Sequence, residues 1–183
     1  LNDAVERLVN AGITVVAAAG NDRADACTKS PASASNAITV GATTSSDSRA
    51  SYSNFGACVD INAPGSEITA GWIYSNSSTR TIQGTSMAAP HVAGAVAVYR
   101  GLYPTATVAQ VTAAITSSST QNAITGLDAL TPNKLLYVSP TDTWAAYSAP
   151  KVEFKSVEAI TSSSALVNMA INPEGLTTTA RIE

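Results

Sequence analysis

Gly84-Thr85-Ser86-Met87-Ala88-Ala89-Pro90-His91-Val92-Ala93-Gly94, running on through Ala95-Val96-Ala97-Val98-Tyr99, is the most distinctive run in the chain. A glycine turn delivers a hydroxyl to the start of a helix built almost wholly from small apolar residues. Ala88, Ala89, Ala93, Gly94, Ala95 and Ala97 leave that helix no polar face, which predicts burial all round. Pro90 is expected in the first turn, where a missing N–H costs nothing. Taken alone, Gly-Thr-Ser reads as the cap of a core helix, the ordinary use of such residues. The same position offers unpaired backbone N–H groups and the positive end of a helix dipole, a setting that stabilises developing negative charge.

The whole eleven-residue run from Gly84 to Gly94 resembles the nucleophile motif of subtilisin-like serine proteases. The resemblance implies that Ser86 is a nucleophile and that its backbone N–H donates to an oxyanion. It also implies an α/β fold, the C-terminal part of a parallel-sheet, three-layer domain.

Composition bounds the alternatives. The chain has 183 residues, 45% of them hydrophobic and 13% charged, which suits a globular core with a surface of Ser, Thr and Ala. A net charge of −3 and the lack of a basic patch argue against nucleic acid as a partner. No apolar run approaches the roughly 20 residues that span a bilayer. The methionines are Met87 and Met169, so Leu1 is no translation start and the chain is expected to be a piece of a longer protein. Cys27 and Cys58 read as a structural disulfide or as two buried thiols; a bridge implies an oxidising compartment.

Asn2 or Asp3 is expected to cap a helix with Val5, Leu8 and Val9 on one face, ended by Gly12. Ile13 to Ala17 then reads as a buried strand of a parallel sheet, running into Ala18-Ala19-Gly20-Asn21. Ligands sit at the carboxyl ends of such strands, although an Asn after a Gly is ordinarily a turn residue. Val15 to Asn21 resembles the subtilase segment that carries the oxyanion-hole asparagine. The resemblance makes Asn21 an oxyanion donor, and Ala18, Ala19 and Gly20 one wall of an apolar substrate pocket.

Ala37 to Ala42 is a strand pattern ended by glycine. Ser30-Pro31-Ala32-Ser33 and Thr39-Val40-Gly41-Ala42 resemble the proteinase K and aqualysin branch. That likeness implies a Cys27–Cys58 disulfide and a calcium ion held by the Asp60 carboxylate with the carbonyls of Ser35 and Ala37. One acid with several carbonyl oxygens is chemistry that calcium accepts. By itself Asp60 is a surface carboxylate. Thr28-Lys29 replaces the Asn-Tyr common in that branch, which puts the pocket rim in question. Asn76-Ser77-Ser78 is a glycosylation pattern in an exposed loop.

Pro104 to Thr107 starts a further helix with Val108, Val111 and Ile115 on one face, and Pro132 to Val138 reads as a last strand. Residues 1–140 are thus the expected catalytic portion and 141–150 a linker. Residues 151–183 alternate like the first strands of a fibronectin-type-III-like or other β-sandwich module, a β-rich tail too short to close a sandwich.

A serine nucleophile needs a general base oriented by a third group. His91, the one histidine, lies five residues on in the helix, about 140° round from Ser86 at 100° per residue, and reads as a packed helix residue. None of the 85 residues before Ser86 is a histidine, so the triad's aspartate and histidine are expected upstream of Leu1. The expected protein is a secreted, monomeric serine endopeptidase acting on polypeptides. The alternative is an inactive pseudoprotease that binds peptides or protein partners.

Overall fold

The computed structural model describes residues 1–138, and the backbone of 151–158 and 166–172. The described residues fall in two units, Leu1–Val138 and a second that holds the last two strands.

The first unit opens with α1 (Asn2–Asn10), which uses no side-chain cap: Asn2 instead donates to Ser33 Oγ at 2.9 Å and accepts from Ser30 Oγ at 2.6 Å. Gly12, at φ +84°, turns the chain out of the helix as its sequence position predicts. The strand that follows, β1 (Val16–Ala18), is shorter than expected and half-buried at both ends. It is an edge strand, and Ile13 stands half-exposed outside it. A short 3-10 helix (Ala26–Thr28) leads on towards β2 (Ile38–Thr43), which is buried along its whole length and runs through Gly41. Then come β3 (Ile61–Pro64) and the antiparallel hairpin β4 (Ile68–Gly71) and β5 (Thr79–Ile82). The two long helices are α2 (Thr85–Leu102) and α3 (Val108–Ser117), and β6 (Thr120–Gln121) and β7 (Lys134–Leu135) close the unit.

One sheet runs in the order β1-β2-β3-β7-β6, parallel from β1 to β7 and antiparallel only at β6. Strand β2 is an interior strand, and all six of its residues, Thr39 and Thr43 included, are buried because both its faces are covered. Helix α2 packs across β1, β2 and β3 and touches α3. Its inward stripe is Thr85, Ala88, Val92, Ala95, Val96 and Tyr99, spaced three and four residues apart. The opposite side, including Ala93, Gly94, Ala97 and Val98, is exposed, so burial of α2 is one-sided rather than complete. Pro90 is the sixth residue of the helix, not in the first turn; it deprives the Ser86 carbonyl of its helical donor.

Helix α3 is set by a full capping box in which Thr107 Oγ1 accepts from Gln110 N and Gln110 Oε1 accepts from Thr107 N. The second unit contains β8 (Lys151–Glu158) paired antiparallel with β9 (Leu166–Asn172), with an irregularity between Phe154 and Ser156. The expected linker at 141–150 and the sequence beyond Asn172 lie outside the described residues.

Candidate active site

The carboxyl ends of β1 and β2 and the amino end of α2 meet at one place. Ala19 N still donates to Val40 O at 3.0 Å beyond the end of β1, and the chain then turns at Gly20, φ +102°. That turn brings Asn21 to the mouth of α2. From the other side, Gly84 N donates to Gly65 O at 2.8 Å, which fixes the turn before the helix.

Thr85 joins the two. It is fully buried, and both its N–H and its hydroxyl donate to Asn21 Oδ1, at 2.9 and 3.0 Å. The same hydroxyl accepts from Gly20 N at 3.1 Å. The amide oxygen of Asn21 is therefore committed, which settles the side-chain orientation and leaves Nδ2 to point elsewhere. Among the described residues Asn21 Nδ2, Ser86 N and Ser86 Oγ have no hydrogen-bond partner. Ser86 is exposed as the second residue of α2. A methyl group built on Gly84, whose φ is +151°, would sit 3.4 Å from Asn21 Nδ2 and 3.7 Å from Ser86 N. Asn21 Nδ2 and Ser86 N thus lie within 4 Å of one point at the positive end of an 18-residue helix, with Met87 Sδ also 3.7 Å from it. Such an arrangement can bind an oxygen that gains negative charge.

The residues expected to form a pocket wall divide. Ala18 and Gly20 are half-buried, whereas the Ala19 methyl is fully buried against Ala26, Ala32 and Val59, so Ala19 can face a ligand only through its backbone. Lys29 pairs with Asp22, next to Asn21, at 2.8 Å. Cys27 and Cys58 are joined in a disulfide, and there are no free cysteines among the described residues. His91 is not packed as expected: it is exposed, and its Nδ1 lies 2.8 Å from Met87 O in its own helix. A backbone carbonyl only accepts, so Nδ1 carries the proton and the ring is tied to the helix rather than to Ser86.

Ser35, Ala37 and Asp60 line a second cavity, together with Val9 and residues of α3. Asp60 Oδ2 accepts from Thr39 N at 2.7 Å. Burial pushes the Asp60 carboxyl above the ordinary aspartate range, and the Thr39 N–H and the Lys134 charge offset this only in part. A half-buried carboxylate lacking a full counter-charge fits a cation, although the described residues hold no group of three acidic, Cys or His ligands. Asn76 is exposed between β4 and β5, where the Arg80 guanidinium lies 4.7 Å from the Trp72 ring centroid.

Two residues of this site escape sequence reasoning. Thr85 passes as a helix cap, and Asn54, which binds the loop around Asn21, sits in a Ser-Asn-Phe-Gly run with only turn-like composition. Thr85 had a signal in its place within the motif, but Asn54 had none.

Residues 1–133 match the model of the subtilase family. An extracellular serine proteinase of Thermus sp. is 55% identical over 137 residues, which cover 75% of this chain and 33% of that protein. A cuticle-degrading serine protease of Arthrobotrys oligospora is 50% identical over 138 residues, 75% of this chain and 34% of its own. The chain therefore spans about a third of the length of these curated relatives. The crystal structure of a cold-adapted subtilisin-like serine proteinase superposes with a TM-score of 0.71 at 46% identity, covering 74% of this chain and 49% of that one. The parallel sheet with its helices is thus a subtilisin-like α/β fold. With the family model matched across the unit that carries Asn21 and Ser86, the chain belongs to the subtilase family.

Proposed function

We propose that this chain supplies the nucleophile and the oxyanion donors of a secreted serine endopeptidase. The observation that carries the reading is the pair of unpartnered donors, Asn21 Nδ2 and Ser86 N, close together at the mouth of α2, whose second residue is the exposed Ser86. Ser86 Oγ attacks the scissile carbonyl carbon and gives its proton to a histidine base. The carbonyl oxygen gains negative charge and is held by the two donors. Collapse of this adduct breaks the C–N bond, the base protonates the leaving amine, and an acyl-enzyme on Ser86 remains. Water then repeats the sequence and releases the acid. With His91 tied to Met87 O, the base and its orienting carboxylate come from outside these 183 residues.

Polypeptides are the substrates, with a small apolar wall at Ala18 and Gly20. Secretion is supported by the Cys27–Cys58 bridge and by the extracellular Thermus relative. No helix among the described residues is long and apolar enough to cross a membrane. Calcium is the proposed structural cofactor: Asp60 would hold it with the carbonyls of Ser35 and Ala37. When bound it would supply the counter-charge that the half-buried carboxylate lacks.

The test is turnover of a peptide anilide by the full-length protein, beside a Ser86→Ala control. Hydrolysis lost in the control supports the endopeptidase. Equal turnover in both, or peptide binding with no turnover, overturns it, and the second result establishes a peptide-binding module instead.

A further inference from the structure

We infer that Asn54 is a positioning residue for the oxyanion donor Asn21, acting through the backbone of residues 19–24. The inference rests on the assignment of Asn21 proposed above. Asn54 is 1% exposed; its side chain and its backbone N–H bond to the loop that carries Asn21, while its carbonyl accepts from Ser53 Oγ at 2.9 Å. Its Oδ1 accepts from Asp22 N at 2.9 Å and from Ala24 N at 3.0 Å. Its Nδ2 donates to Ala19 O at 2.8 Å, and its backbone N donates to Gly20 O at 2.9 Å. One buried side chain thus grips the main chain on both sides of Asn21, while Thr85 grips the side chain of Asn21 itself.

The fork requires an amide. An acceptor for two N–H groups and a donor for one carbonyl must lie on one short side chain: ionised Asp lacks the donor, Leu lacks both, and Ser must serve all three partners from a single oxygen on a shorter arm. The grip also requires Gly20: a Cβ there would lie 2.4 Å from Asn54 Nδ2, and its φ of +102° disfavours any side chain. The loop N–H groups at 22 and 24 belong to no helix or strand, so without Asn54 they lose their partner. The loop would relax and carry the Asn21 amide away from its place beside Ser86. Displacements of about 1 Å in such groups cost on the order of 10²-fold in rate.

The test uses the full-length protein, whose Ser86 is first titrated with a fluorophosphonate. If wild type fails to label, the underlying reading falls, and this inference with it, before any variant is compared. Given labelling, Asn54→Ala is expected to lower kcat on the order of 10- to 10²-fold with little change in KM. In an Asn21→Ala background the same change should cost no more than about twofold, because the two act as a unit. Asn54→Asp keeps the acceptor but faces Ala19 O without a proton. Its kcat relative to wild type at each pH should rise as the pH falls and the carboxyl regains a donor. An equal loss from Asn54→Ala in both backgrounds overturns the inference. Should Asn54→Ala fail to fold, Asn54→Asp carries the test, and a flat ratio across pH contradicts it.

Discussion

A single hydroxyl organises the site at the scale of the residue. Thr85 Oγ1 accepts a hydrogen bond from Gly20 N and donates one to Asn21 Oδ1, so it fixes a backbone and a side chain at once. Asn21→Ala should lower kcat on the order of 10² to 10³, the magnitude known from subtilisin itself, and leave KM nearly unchanged. Steady-state kinetics on a peptide anilide checks this. Thr85→Val keeps the shape and the backbone N–H to Asn21 Oδ1, but it strands Gly20 N and removes one of the two donors that hold the Asn21 side chain. A kcat loss of the same kind is expected, reduced in a variant that already lacks Asn21. Gly20→Ala should cost on the order of 1–3 kcal/mol of stability in chemical denaturation, since its backbone is left-handed and its methyl would strike Asn54. Ser86 and Asn21 could be singled out because each sits in a run that resembles a known motif, and the Cys27–Cys58 bridge followed from the likeness to one branch of the family. Asn54 was not: its role comes from a loop 30 residues earlier, and no local pattern records a contact across that distance.

Elements show where local chemistry sufficed and where the tertiary setting overrode it. The start of α3 just after Pro104 to Thr107 and its Val111 and Ile115 face were readable, because start signals and periodicity are local. The edge position of β1 was not, since an apolar run looks alike in a central and an edge strand. Nor was the one-sided burial of α2, whose small residues suit either side. Asp60 links the β2 and β3 region to pH. Burial holds its carboxyl above the ordinary aspartate value. Between that value and the raised one, the folded state binds a proton that the unfolded state does not. Stability therefore falls as pH rises through this window and stays lowered above it. Calcium bound to the carboxylate would cancel that penalty. Thermal melts with calcium and with chelator should show a calcium-dependent rise in Tm that Asp60→Asn abolishes. A rise that survives in Asp60→Asn would move the metal elsewhere.

At the scale of the whole molecule, the unit Leu1–Val138 has two faces with different roles. The end of the sheet where α2 begins carries the donors and the hydroxyl. The outward side of α2 presents Ala93, Ala97 and Val98, and Ile13 stands exposed beside the open edge of β1. Exposed apolar surface next to a sheet edge favours association. Residues 1–138 expressed alone should therefore run as oligomers or aggregate in size-exclusion chromatography, whereas a stable monomer would contradict this. Ser86 as a nucleophile activated by groups from outside these residues is tested by the stoichiometry of fluorophosphonate labelling, mapped by mass spectrometry, on full-length protein, on this chain alone and on Ser86→Ala. One label on Ser86 is expected in the full-length protein and essentially none in the other two. Label elsewhere in the full-length protein, or none at all, would contradict it.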